Sequence, residues 1–168
     1  TVRARAGRLV ATLSQLGDGQ DGGEGLAVHR GVAFPSARWW FADGVGAPDV
    51  AERYVVMNPS DVEVSVALSV ITDVSDDLQP EPFVFDVPPR RYVVVDLDQE
   101  ARVPPTGRRW VEVVSDGGDG VVVERLLTVR GPGAEAPATE RPPVPDGLAA
   151  TSGSAVTATE WVLGSIGV

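Results

Sequence analysis

At 168 residues the chain has room for one ordinary domain, which buries roughly 70% of its unfolded surface, and the absence of cysteine excludes disulfide frameworks, thiolate metal sites and thiol nucleophiles. A formal charge of −10 repels nucleic acid and anionic membranes, so no nucleic-acid partner is expected. No stretch approaches the ~18 consecutive apolar residues of a membrane span. The apolar fraction of 43% is dominated by Val, and β-branched side chains pack well on a pleated surface, so the composition favours sheet. Every basic residue except the lone His is Arg, and the absence of Lys beside abundant Ala, Gly, Val and Pro reads as a genomic base-composition bias.

Residues 1–16 read as strand, with Leu9, Ala11 and Leu13 on one face and Val10 and Thr12 on the other. They are either the closing strands of a preceding repeat or added strands of the same sandwich. Residues 17–37 form a Gly/Asp-rich connection, expected to be flexible because it offers little apolar surface to repay ordering.

Residues 38–130 are expected to form the β-sandwich unit. Trp39 and Trp40 are adjacent in a strand and so point to opposite faces; one enters the core and the other is exposed, covered by a neighbouring segment, or part of an interface. The pair is therefore the candidate binding feature, because an exposed Trp serves as a platform for sugar rings or as an anchor between proteins. Glu52 to Met57 and Val62 to Val70 read as two strands of a hairpin joined by Asn58-Pro59-Ser60-Asp61, where Pro supplies the φ of a type I turn. The second shows the clearest alternation in the chain, with Val62, Val64, Val66, Leu68 and Val70 on one face and Glu63, Ser65, Ala67 and Ser69 on the other.

Glu81 to Val87 and Arg91 to Leu97 read as the next strand pair, around Pro88-Pro89. The last pair is Arg109 to Ser115 and Gly120 to Val129, joined by the Gly-rich segment Asp116 to Asp119. The final strand carries apolar groups on both faces, which predicts either a strand covered on both sides or a bulge. Residues 131–156 are Pro-rich and read as a linker. Residues 157–168 read as the first strand of a following repeat or the last of the same sandwich, with Trp161 in the place that Trp39 or Trp40 holds earlier. Leu13 and Leu126 stand about 113 residues apart and Trp40 and Trp161 about 121, which suggests a repeat unit with a variable linker.

The fold expected is therefore all-β, an antiparallel two-sheet β-sandwich, immunoglobulin-like in general architecture and without substantial helix. The ordered string Trp39-Trp40-Phe41-Ala42-Asp43-Gly44, Tyr54 to Asp61, Phe83 to Pro89, Ser115-Asp116-Gly117 and Val122-Val123-Glu124-Arg125 resembles repeated β-sandwich modules of unknown function in secreted and cell-envelope proteins of high-GC Gram-positive bacteria. The usual string in those modules is Trp-Tyr-Phe-Ala-Glu-Gly, a strand ending in Asn-Pro, a Val-Pro-Ala turn, and a closing strand with Val-Glu-Arg. This chain departs from it at Trp40 and Asp43, and Ala11-Thr12 stands where the full unit has Glu124-Arg125. The resemblance implies an extracellular or envelope location, a non-enzymatic role, and neighbouring repeats, envelope proteins or polysaccharide as partners.

No catalytic, metal or cofactor residue is assigned. A Ser-His-Asp triad would have to use His29, and one His beside a Gly-rich loop is more readily a packing or solvent-facing residue. Asp96, Glu112 and Glu124 lie in predicted strands and would serve a hydrolase only if they converged; on an open sheet face they pair more readily with Arg91, Arg109 and Arg125. The acidic loops at Asp73, Asp76 and Asp77 and at Asp116 and Asp119 lack a calcium-loop pattern and read as solvated turns. The function expected is a structural spacer or protein-interaction domain; the alternative is a carbohydrate-binding module using an exposed Trp, and a hydrolase comes third.

Overall fold

A computed structural model of the chain describes residues 2, 4–18, 24–73, 79–130 and 147–158. Among them are ten strands: β1 (Thr12–Asp18), β2 (Glu24–Arg30), β3 (Arg38–Gly46), β4 (Val50–Met57), β5 (Val64–Thr72), β6 (Phe83–Val87), β7 (Tyr92–Asp96), β8 (Gly107–Asp116), β9 (Val122–Val129) and β10 (Gly147–Ser152). The only helical element described is a single 3-10 turn at Leu97–Gln99, and no described helix is long and apolar enough to cross a membrane.

Two four-stranded antiparallel sheets carry the fold, a front sheet in the order β3-β8-β5-β6 and a back sheet in the order β10-β9-β4-β7. Their inward side chains form the core. Val64, Val66, Leu68 and Val70 of β5 are all essentially inaccessible, as are Val111 and Val113 of β8, Tyr54 and Val56 of β4 and Val123 of β9. The chain is thus the all-β sandwich that its alternation predicts.

The expected hairpin and the two further strand pairs are not paired strands. β4 and β5 lie in opposite sheets, as do β6 and β7, and β8 and β9. Turn residues and period-two alternation are shared by a hairpin and by an arch that carries the chain across the core, so local sequence does not separate them. Here the arches are held by specific contacts. Asn58, fully buried, donates through Nδ2 to the carbonyls of Val62 (2.7 Å) and Val87 (2.9 Å) and accepts from the Ser60 N–H (2.9 Å), which ties the first arch to the end of β6. In the third arch Gly117, Gly118 and Gly120 all have positive φ, and a Cβ on Gly120 would meet the Ser36 carbonyl carbon at 2.4 Å. That close approach lets Ser36 and Val121 exchange backbone hydrogen bonds of 2.9 and 3.0 Å, closing the sandwich beside Trp39.

Two segments flanking the central unit hold strands that their composition does not suggest. The connection expected over 17–37 contains strand β2, which pairs with β1, and the linker expected over 131–156 contains β10, which pairs with β9 from Gly147 opposite Val129 to Ser152 opposite Glu124. Beyond β10, Ser154 exchanges two backbone hydrogen bonds of 2.8 Å with Trp40 and so covers that edge of β3. β9, apolar on both faces, lies between β4 and β10 with its inner face on the core, while the outer face of the β9–β10 pair receives β2. Trp161, Asp76, Asp77 and residues 131–146 lie outside the described residues.

Candidate functional site

Trp39 faces inward. It is 2% exposed, and its indole N–H donates to the Val121 carbonyl at 2.8 Å, so it is a core residue with its one polar atom satisfied. Trp40 faces the other way and is half-buried, with the Arg38 guanidinium 5.7 Å from its ring centre. It is directly opposite Glu112 of β8, which is 3.4 Å from Arg38. One register step along β8 stands Trp110, 42% exposed and opposite Ile71 of β5. The outer face of the front sheet therefore carries two tryptophans, Trp40 and Trp110, on neighbouring strands. Trp110 alternates in step with Glu112 along β8, and that parity is the sequence signal that places it on this face.

The rest of the Trp39 to Gly44 string builds a different feature. β3 bulges between Phe41 and Gly44, and Asp43 adopts a left-handed φ of 64° there. A Cβ on Gly44 would lie 2.9 Å from the Arg109 carbonyl and 3.1 Å from Glu52 Oε1, so glycine is required for the close approach. Into that space β4 sends Glu52, fully buried, and β8 sends Arg109, 2% exposed; Arg109 Nε donates to Glu52 Oε2 at 2.7 Å. The Tyr54 hydroxyl donates to Glu52 Oε1 at 2.6 Å, and Arg125 Nη1 lies 3.7 Å from the same oxygen while donating to the Ala42 carbonyl of the bulge at 3.2 Å.

Asp98, presented by the 3-10 turn, accepts from the Glu52 N–H at 2.7 Å and lies 3.6 Å from Arg109 Nη2. Phe41 meets Tyr54 edge-on at 5.0 Å and has the Arg125 guanidinium 5.9 Å from its ring centre. Glu52 and Arg109 thus pair inside the sandwich beside Arg125, and Asp98 adds a second carboxylate from the exposed rim. Burial first, and the Glu52 carboxylate second, push the Tyr54 phenol well above its ordinary range, so it stays a neutral donor.

The cluster reaches the surface at a cleft of about 400 Å³ lined by Pro48, Arg53, Asp96, Asp98 and Arg109 among others. Two of its charge pairs are Arg53 with Asp96 at 2.8 Å and Arg109 with Asp98 at 3.6 Å.

The three strand carboxylates do not converge. Asp96 and Glu124 project from the outer face of the back sheet, opposite Arg53 and Val55 of β4, whereas Glu112 projects from the outer face of the front sheet. Their partners also differ from those expected: Arg53 for Asp96, Arg38 for Glu112, and His29, with Nε2 at 3.7 Å, for Glu124. Arg109 and Arg125 occupy inward positions of β8 and β9 and are turned to Glu52. His29 is 9% exposed in β2 and packs against the back sheet. Asp116 and Asp119 are exposed, and no group of potential metal ligands occurs among the described residues.

No protein-family model matches the chain, and no curated protein matches it. Among solved structures, the fold is similar to that of Thermotoga maritima 1070, with a TM-score of 0.52 and 18% identity over 71% of this chain and 94% of that one. The Anabaena sensory rhodopsin transducer is matched with a TM-score of 0.44 and 20% identity over 56% of this chain and 91% of that one. The first likeness is one of fold alone.

Proposed function

We propose that this chain is a non-enzymatic β-sandwich module of an exported, envelope-associated protein, working as a spacer or protein-interaction domain. The observation that carries the reading is how its ionic groups are used. Glu52, Arg109 and Tyr54, the ionisable groups best shielded from water, bind one another inside the sandwich with Arg125 beside them. What the surface offers instead is sheet faces bearing Trp, Leu and Val, the material of contacts between proteins. The test is fractionation of cells making the full-length protein. Recovery from the envelope or medium supports the reading, and recovery in the cytosol from a parent without an export signal overturns it.

A second reading has its own observation. Trp40 and Trp110 lie on one open sheet face with Glu112 and Arg38 between and beside them, an aromatic and polar surface suited to a polysaccharide chain. Titration with cell-wall and plant polysaccharides is expected to change Trp fluorescence, and Trp110→Ala to remove most of the change. No response to any of them sinks this reading and leaves the first in place.

A further inference from the structure

Each four-stranded sheet has two edge strands, and three of these edges carry a feature that discourages another strand from pairing. β3 bulges and is bridged by Ser154 at Trp40, β6 carries Asp86 and runs into Pro88-Pro89, and β10 has β2 packed against it. β7 has none of these. It reads Tyr92-Val93-Val94-Val95-Asp96, with no bulge, no proline and no charge before its last residue, and Tyr92 is 66% and Val94 47% exposed.

The register shows which backbone groups of β7 are open. The Asn58 N–H donates to the Arg91 carbonyl at 2.9 Å, one position beyond the Met57–Tyr92 pair of the β4–β7 ladder. Backbone groups alternate sides along a strand, so Val93 and Val95 turn theirs to β4, and Tyr92, Val94 and Asp96 turn theirs to the edge. Among the described residues no strand pairs with β7 on that side. Such a row of N–H and C=O groups is matched by another extended strand.

We infer that the strand is β7 of a second copy of this chain, paired antiparallel about a twofold axis at Val94. Charge selects both the partner and the direction. Arg90 and Arg91 precede the strand while Asp96 and Asp98 follow its valines, so an antiparallel copy brings each basic end to the other's acidic end, and a parallel copy would set like charges side by side. An axis at Val94 is also the register that pairs all three open residues with open residues. Val94 meets its own counterpart, and Tyr92 stands opposite Asp96 of the second copy, where its hydroxyl can donate to the carboxylate. The contact is isologous, so it closes as a dimer and joins two four-stranded back sheets into one. It deepens the interaction-module reading, and rests on it, by naming the partner.

Sedimentation equilibrium of the full chain at rising concentration tests the proposal. A monomer–dimer equilibrium with no larger species is expected. Val94→Pro removes the open N–H at the axis and takes nothing from the ladder with β4, while Val94→Lys sets two ammonium groups against each other there. Both variants should keep the parent's circular dichroism spectrum and lose the dimer, and Val94→Lys lowers the net negative charge, so overall repulsion cannot explain its loss. Because the chain has no cysteine, single cysteines report the register. Val94→Cys is expected to oxidise to a linked dimer, since directly opposed hydrogen-bonded residues stand about 5.5 Å apart at Cα. Tyr92→Cys is expected not to, since its counterpart lies four positions along the strand, roughly 13 Å away. A chain monomeric at every concentration, a dimer that survives either Val94 substitution with the fold intact, or Tyr92→Cys cross-linking as readily as Val94→Cys overturns the proposal. The envelope reading stands or falls separately, on the fractionation.

Discussion

Two Arg–carboxylate pairs in this molecule have Nε hydrogen bonds of nearly the same length and opposite significance. Arg90 grips Asp61 with two hydrogen bonds of 2.8 and 3.0 Å at the surface, while Arg109 grips Glu52 with one of 2.7 Å in the core. The surface pair exchanges water for a partner and back at little cost, and salt screens it. The inner pair has given up its water altogether, so each member depends on the other, on Tyr54, and on the space that Gly44 leaves. Hydrogen-bond length says nothing about that difference; burial decides it.

The comparison is broken most severely by Arg109→Ala, which strands a buried carboxylate. A loss of about 3–5 kcal/mol in urea unfolding is expected, and replacing Glu52 and Arg109 together by Leu and Met should recover part of it, because the stranded carboxylate is gone while the Tyr54 hydroxyl loses its acceptor and Arg125 keeps only the Ala42 carbonyl. If the double replacement is no better than the single, the cost lies in packing and not in charge. Next is Gly44→Ala. Its methyl would press on the Arg109 carbonyl and on Glu52, and a loss of about 1–3 kcal/mol is expected by the same measurement.

Tyr54→Phe should cost about 1 kcal/mol near neutrality through its lost hydrogen bond, and it should also change the response to alkali. The folded phenol has a raised pKa, so its contribution is complete below the ordinary value of about 10 and falls as pH climbs beyond it, when the unfolded chain releases a proton that the folded one keeps. Stability of the parent should therefore drop by up to about 1.4 kcal/mol per pH unit above that point through this group, and Tyr54→Phe should flatten the slope. The smallest effect belongs to the surface pair. Arg90→Ala is expected to leave the thermal midpoint unchanged within error at moderate salt, and a clear drop would mean that Asp61 and Arg90 pin the first arch.

Much of the sandwich was legible in the residues. The alternation of β5 marks its buried face one residue at a time, and the opposition of Trp39 and Trp40 follows from strand geometry alone. The sheet partners were not legible, because Asn58-Pro59-Ser60-Asp61 and the Asp116 to Asp119 turn serve an arch as well as a hairpin. β10 was hidden by the prolines just before it, although Leu148 and Ala150 alternate as a strand does. The ionic cluster left a signal that composition obscures. Glu52 shares parity with Tyr54 and Val56, Arg109 with Val111 and Val113, and Arg125 with Val123, so period-two counting places three charges inside. Charged strand residues are usually solvated, and that expectation prevailed over the count.

The arches bear on how the chain folds as well as on what it becomes. β3 to β4, β4 to β5, β6 to β7, β7 to β8 and β8 to β9 all change sheets, so neither half of the sandwich can zip up from neighbouring sequence. β8 must find β3 and β5, and β9 must find β4, across long closed loops whose entropy is spent before contacts reward it. Folding should accordingly fall in the slow range of milliseconds to seconds that non-local β topologies share, with both sheets appearing together and no half-sandwich that survives by itself.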